Sequence, residues 1–323
     1  MTLGILKRKK ILLLTPFSLS SRVMNLYEFF NKKLEYSIDA IAADQELAKH
    51  IQDVLIWLKL LNPPSDGKFG PISAAALKEF QKIMKCEEDQ FVGPKTAKAL
   101  VSTKPEDLPK PALKLDNDLP SRIIKYMQQK GYQFSIGSGE YNIVYVEGMD
   151  ADGTPNSDQP NYFNDRRLVI EIVNGKPKIV GNWEATTEPG FRYTYNPINK
   201  GKGAARIAFG QYKSWKVGIH YGGGADPHEA LAQVAPITVH RDFNQDLKRT
   251  GDKLDIGLFD VNQHWGFDLP RNNISFASAG CLVGRTRDGH REFMKLIKQD
   301  KRYQMNKDYL FVTTIIPGNE LEK

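Results

Sequence analysis

The chain has 323 residues, 41% of them hydrophobic and 26% charged, with a formal net charge of +7. That length exceeds the usual single core, so about two domains are expected, and no apolar run approaches the roughly 20 residues of a membrane span, which excludes an integral membrane domain. The positive excess is scattered and favours anionic polymers or surfaces, but without an aromatic-basic module nucleic acid is not expected as a partner.

Residues 1–43 form an N-terminal segment. Lys7, Arg8, Lys9 and Lys10 lead into a short apolar stretch broken by Pro16 and closed by Arg22, a pattern like a weak signal or anchor. The alanines between Ala40 and Ala43 lie beyond a charged, aromatic stretch, too distant for a convincing cleavage site.

Residues 44–101 carry an internal repeat. "DGKFGPISAAAL" and "DQFVGPKTAKAL" place Gly70-Pro71 and Gly93-Pro94 23 positions apart, with Ser73 matching Thr96, Ala76 matching Ala99 and Leu77 matching Leu100. Gly-Pro followed by a hydroxyl and an Ala/Leu face is a turn feeding a helix. Upstream, Leu47, Ile51, Val54, Leu55, Leu58 and Leu61 fall at helical spacing, as do Leu77, Phe80 and Met84, so three helices are expected. The leading amphipathic helix, "DGKFGP", "ALKEFQ" and "VGPKTAKAL" together resemble the common peptidoglycan-binding domain, with Gln90 standing where that family usually has glycine. The resemblance implies peptidoglycan as partner. Residues 102–119, with Pro105, Pro109 and Pro111, read as a linker.

From 120 to 318 the chain begins with a short helix ended by Gly131 and then turns strand-rich: "YNIVYVEG", "RRLVIEIVNGKPKIVGNWEAT" and "ARIAFGQYKSWKVGIHYG". Residues 319–323 are a tail. The fold class is therefore α+β, a small three-helix domain followed by a mostly β domain. Asp150, Asp152, Asn156, Asp158 and Asp165 are hard oxygen ligands of the type calcium takes, but they lack the EF-hand pattern and read as a solvated, turn-forming loop.

The two cysteines, Cys86 and Cys281, offer neither a disulfide framework nor a CxxC site. Cys86 follows a helical core pattern and reads as packing. Cys281 sits in "SFASAGCLVGR", preceded by four histidines, His220, His228, His240 and His264. A nucleophilic thiol needs a nearby imidazole as base, and His264 precedes Cys281 by 17 residues, enough for a strand and a return.

"VNQHWG…SFASAGC" resembles the L,D-transpeptidase signature. That resemblance implies Cys281 as nucleophile, His264 as general base, Ser278 as the hydroxyl beside it and Gly280 as the residue allowing close substrate approach. The Cys281 N–H, joined by that of Gly280, is then the candidate oxyanion donor. Three departures stand out: Trp265 separates His264 from Gly266, Ala279 replaces a usual histidine, and the arginine after the cysteine is displaced to Arg285. Arg285 and Arg241 are candidates for gripping a substrate carboxylate, or else structural ion pairs. His240, His220 and Trp265 complete the substrate-binding candidates.

The expected activity is cysteine-dependent modification of peptidoglycan stem peptides through a Cys281 acyl-enzyme, as L,D-transpeptidase or L,D-carboxypeptidase, with no cofactor or metal. Two alternatives stand beside it. One is a zinc peptidase using His220, Asp226, His228 and Glu229; the other is a non-catalytic wall-binding or structural protein. A wall substrate implies the periplasm, cell wall or exterior, with non-standard export and a cytoplasmic pool both left open.

Overall fold

A computed structural model describes residues 24–88, 91–108, 113–222, 226–249 and 251–321. The chain divides into two compact units between Pro105 and Glu106. The first holds α1 (Leu26–Asn31), β1 (Tyr36–Ser37), α2 (Ile38–Ala43), α3 (Gln45–Trp57), α4 (Pro71–Ile83), β2 (Phe91–Val92) and α5 (Pro94–Ser102). Within 44–101 the helices are α3, α4 and α5. In the preceding segment Phe29 and Ile41 are fully buried and β1 pairs with β2, so residues 24–43 are built into this unit, while the stretch from Lys7 to Arg22 that reads as a weak signal or anchor lies outside the described residues.

The repeat is written into the hydrogen bonds. Gly70 and Gly93 are the N-caps of α4 and α5, each followed by proline and each lacking a side-chain cap. Buried glutamines from the preceding helix reach the matched hydroxyls instead. Gln52 donates to Ser73 Oγ and Gln81 to Thr96 Oγ1, both at 3.0 Å. Glu88 adds an anion at the start of α5, accepting the N–H groups of Gly93 at 2.7 Å and Thr96 at 3.1 Å, a favourable place for negative charge. Asp89 and Gln90 lie outside the described residues. Cys86 is buried, and burial pushes its thiol up, as suits packing.

The second unit begins before the expected helix. Leu113 and Leu115 pack against its core and the Lys114 N–H donates to Gly175 O at 2.8 Å, so this half of the proline-rich stretch is attached rather than free. Pro109 and Pro111 lie outside the described residues. The elements that follow are α6 (Leu119–Gln129), β3 (Tyr141–Glu147), β4 (Asp165–Val173), β5 (Lys176–Thr186), α7 (Phe191–Tyr195), β6 (Ala204–Ile207), β7 (Gly210–His220) and β8 (His228–Gln233). After them come β9 (Ile237–Asp242), β10 (Lys253–Gly257), β11 (Gln263–Trp265), β12 (Leu282–Gly284), α8 (Arg287–Ile297), α9 (Lys301–Met305) and β13 (Phe311–Pro317).

Eight strands close a barrel in the order β11-β12-β5-β4-β3-β13-β7-β8, and β10-β9-β6 make a separate three-stranded sheet. Asn174 and Gly175, both at positive φ, join β4 to β5 in the two-residue hairpin turn that such residues favour. Ile123, Ile124 and Met127 of α6 pack on Val144, Val146, Leu168 and Ile170, which explains why β3 and β4 read as nearly continuous apolar runs. The acidic loop between β3 and β4 departs from its reading as a solvated turn. Asp150 is exposed enough to pair with Arg271 at the surface, but Asp165 is fully buried at the start of β4.

Candidate active site

Strands β11 and β12 run parallel, with Gln263 opposite Leu282 and His264 opposite Val283. The Leu282 N–H donates to Asn262 O, which carries the register back one step and sets Cys281 beside Asn262. Side chains alternate along strands, so Asn262, His264, Cys281 and Val283 fall on one face. Cys281 and Val283 indeed share an apolar cluster with Phe163, Ile274 and Ala277, edged by Phe267 and Leu269.

The residues leading into Cys281 form a locked turn. Ser278 Oγ accepts the Gly280 N–H at 3.1 Å and donates to the Cys281 carbonyl at 2.9 Å. This alters two of the expected roles. Ser278 is fully buried and fixes backbone, and the Gly280 amide is already committed to it rather than free for an oxyanion. Gly280 is required by packing: it sits at φ +125°, and a Cβ there would lie 2.4 Å from the Ala205 carbonyl oxygen of β6. Close approach at this glycine is to the protein's own strand.

Four of the six histidines meet beside this turn. His220 stacks on His264 with ring centroids 3.8 Å apart and planes 6° from parallel, and His228 stacks on Trp265 at 3.7 Å. His290 of α8 completes the group, 5.9 Å from His228 and edge-on to it. Their partners fix their tautomers, because a carbonyl only accepts and a guanidinium only donates. His264 Nδ1 lies 2.7 Å from Trp265 O, so Nδ1 carries the proton and Nε2 is the basic nitrogen. His290 is the reverse, accepting from Arg167 through Nδ1 at 3.2 Å and donating from Nε2 to Glu229 O at 2.9 Å. Asn262 accepts the Gln233 N–H through its oxygen, which turns its amide nitrogen toward His220 Nδ1 at 3.1 Å.

Burial sets the charge states. It pushes His220 down to about 4, with His228 adding to the effect, and holds His264 and His290 well below the usual imidazole range, helped by His220 and Arg167 respectively. Burial also pushes the Cys281 thiol up to about 11. The thiol donates to Asp260 O at 3.5 Å, a contact only the protonated form makes. The resting pair is therefore a neutral thiol and a neutral imidazole. Alkylation of Cys281 by iodoacetamide is accordingly expected to be slow at pH 7 and to climb steadily to about pH 11, followed by peptide mass spectrometry. A plateau already reached by pH 7 would refute a high thiol pKa.

The other expected site residues fall elsewhere or are occupied. Arg285 pairs with Glu184 and reaches Leu269 O at 3.3 Å, while Arg241 pairs with Asp255 at 3.0 Å and lies over the Phe259 ring. Both are held as structural ion pairs rather than as free carboxylate grips. His240 is on β9 in the three-stranded sheet, near Arg249, and is not part of the imidazole group. Trp265 contributes its carbonyl to His264 and its ring to His228, with Arg287 and Arg291 over the ring. Asp226 and Glu229 of the zinc alternative are paired with Arg287 and Lys298, and His228 Nδ1 is tied to Asp226 O at 2.7 Å. Among the described residues, the groups whose ligand atoms all lie within 4.8 Å contain no histidine. The sequence reading missed His290, Arg167 and Asn262; only the fold carries α8 and β4 to this point.

In the first unit the paired glutamine–hydroxyl links, the two Gly-Pro caps and the buried α3–α4–α5 faces occupy one continuous stretch of chain. Residues 44–100 match the family described as "Putative peptidoglycan binding domain". This peptidoglycan-binding domain points the chain to peptidoglycan as partner and to the cell wall. Among the described residues no helix is long and apolar enough to cross a membrane. No curated protein matches the chain. One solved structure, a fused Zn-dependent amidase/peptidase/peptidoglycan-binding domain-containing protein from Clostridium acetobutylicum ATCC 824, aligns with 88% of this chain and 99% of its own at 13% identity and a TM-score of 0.26.

Proposed function

We propose that the second unit is a cysteine-dependent peptidoglycan enzyme acting on stem peptides, as L,D-transpeptidase or L,D-carboxypeptidase. The observation that carries this reading is the orientation of His264. Its Nδ1–H is anchored on the Trp265 carbonyl, leaving Nε2 as the base on the same strand face as Cys281. The anchor is a main-chain oxygen, so tryptophan in place of glycine after the histidine does not disturb it.

In the reaction, the Cys281 thiol turns from Asp260 O and gives its proton to His264 Nε2 as sulfur bonds to the stem-peptide carbonyl carbon. The tetrahedral oxygen takes the negative charge, with the Cys281 N–H as its donor. Collapse breaks the C–N bond, and the departing amine takes the proton from Nε2, leaving a thioester. An amine of a second stem, or water, attacks that thioester and restores the thiol. Because both resting groups are neutral, the charged pair exists only along the reaction path.

The same burial favours a second reading, a non-catalytic wall-binding protein in which Cys281 is packing. Mass spectrometry of disaccharide-tetrapeptide and sacculi incubated with wild type, Cys281→Ala and wild type plus chelator separates the possibilities. The expected result is product that disappears with Cys281→Ala and persists with chelator. Product lost to chelator turns the assignment to the zinc peptidase, and no product from wild type turns it to the binding protein.

A further inference from the structure

A second cluster of buried charge lies apart from the imidazoles. Glu147 ends β3, Asp158 lies in the loop before β4, and Glu188 follows β5; one carboxylate oxygen from each falls within 4.8 Å of the other two. Glu188 is 1% exposed. Its Oε1 pairs with Arg206 at 3.0 Å, while its Oε2 is buried with no hydrogen-bond partner, and Asp158 Oδ1 is in the same condition. A buried acceptor without a donor, as at Glu188, is a rare and costly arrangement.

Carboxyl groups also outnumber cations here. Glu147, Asp158, Asp165 and Glu188 face Arg249, paired with Glu147, and Arg206, paired with Glu188. Four carboxyl groups thus share two guanidinium cations. Asp165 is not among the ligands, since its two oxygens accept the N–H groups of Gly148 at 2.9 Å and Thr187 at 2.7 Å.

We propose that Glu147, Asp158 and Glu188 form a binding site for one calcium ion. An all-oxygen, carboxylate-rich donor set suits a hard cation, and a buried site suits calcium over magnesium, which gives up its water shell reluctantly. No imidazole or thiolate belongs to the group, which disfavours zinc. The site is independent of the reading of Cys281.

The test is calorimetric titration of the full chain with CaCl2 after chelation and desalting, with native mass spectrometry to count ions. One calcium per chain is expected, with a higher thermal midpoint in millimolar CaCl2. Glu188→Gln and Asp158→Asn are each expected to weaken binding by about tenfold or more through loss of ligand charge, while Asp152→Asn, on the exposed part of the same loop, leaves it unchanged. Absence of saturable binding by wild type, tighter binding of Mg2+ or Zn2+, or undiminished binding in both variants would overturn the proposal. If the variants fail to fold, the wild-type titration decides it.

Discussion

His264→Gln is expected to slow formation of the Cys281 thioester by about 10²- to 10⁴-fold, the range lost when a positioned general base is removed. Glutamine is near the size of histidine and can keep a donor on the Trp265 carbonyl, but its amide cannot take the thiol proton. The change therefore isolates proton transfer from packing. Trapping the acyl-enzyme by rapid quench and intact mass measures the rate, and the thermal midpoint checks that the stack on His220 has not been the real loss. An unchanged rate would leave His264 a buried structural imidazole and withdraw the mechanism.

The pH dependence sharpens this prediction. His264 is held well below 6.5, so it stays unprotonated as pH falls through the usual histidine range, and the acid limb of the rate is expected to lie well below pH 6.5. Stability moves first. The unfolded imidazoles take protons near 6.5, whereas folded His220 does so only at about 4, with His228, His264 and His290 also lowered. Between those limits the unfolded state binds more protons, so this group's contribution to stability is fully present above 6.5 and is lost as pH falls toward the folded values. Activity and the imidazole share of stability should thus separate between pH 6.5 and 5, with rates held while that share of the denaturation midpoint declines.

Local signals carried much of the fold. The Gly-Pro repeat marked α4 and α5 because proline at the first helical position is a short-range constraint. What sequence could not carry was closure. β13 pairs with β3 across the whole second unit, and α8 delivers His290 to a strand face formed by β8 and β11. His264 and Cys281 were singled out by residue type, short spacing and resemblance, and the structure sets them on and just before the neighbouring parallel strands β11 and β12. Arg285 and Arg241 look alike in sequence as free cations; only the arrival of Glu184 and Asp255 shows both to be occupied. The opposite happened at Asp158, where a loop composition typical of solvated turns conceals a carboxylate directed at Glu147.

Gly280→Ala is expected to destabilise the second unit by about 2–4 kcal/mol, the sum of a strained backbone and an overpacked contact. The residue is at φ +125°, where side chains are rarely tolerated, and the added methyl would meet the Ala205 carbonyl oxygen at 2.4 Å. That neighbour is backbone within β6, which is hydrogen-bonded along β9, so it cannot swing aside as a side-chain tip would. Relief must come from the turn itself, and turning Gly280 withdraws its N–H from Ser278 Oγ and shifts the Cys281 carbonyl that the same hydroxyl binds. The thiol then loses its register beside Asn262, so thioester formation should fall further than the stability loss alone would require. Gly201→Ala is the control: its added methyl would make only an ordinary 3.6 Å contact with Asn199, and a change within about 0.5 kcal/mol is expected. Hydrogen exchange in β6 and β12 localises the effect to this unit. If Gly280→Ala matches Gly201→Ala in both exchange and rate, the turn is more pliable than its bonds imply, and the role assigned to Gly280 falls.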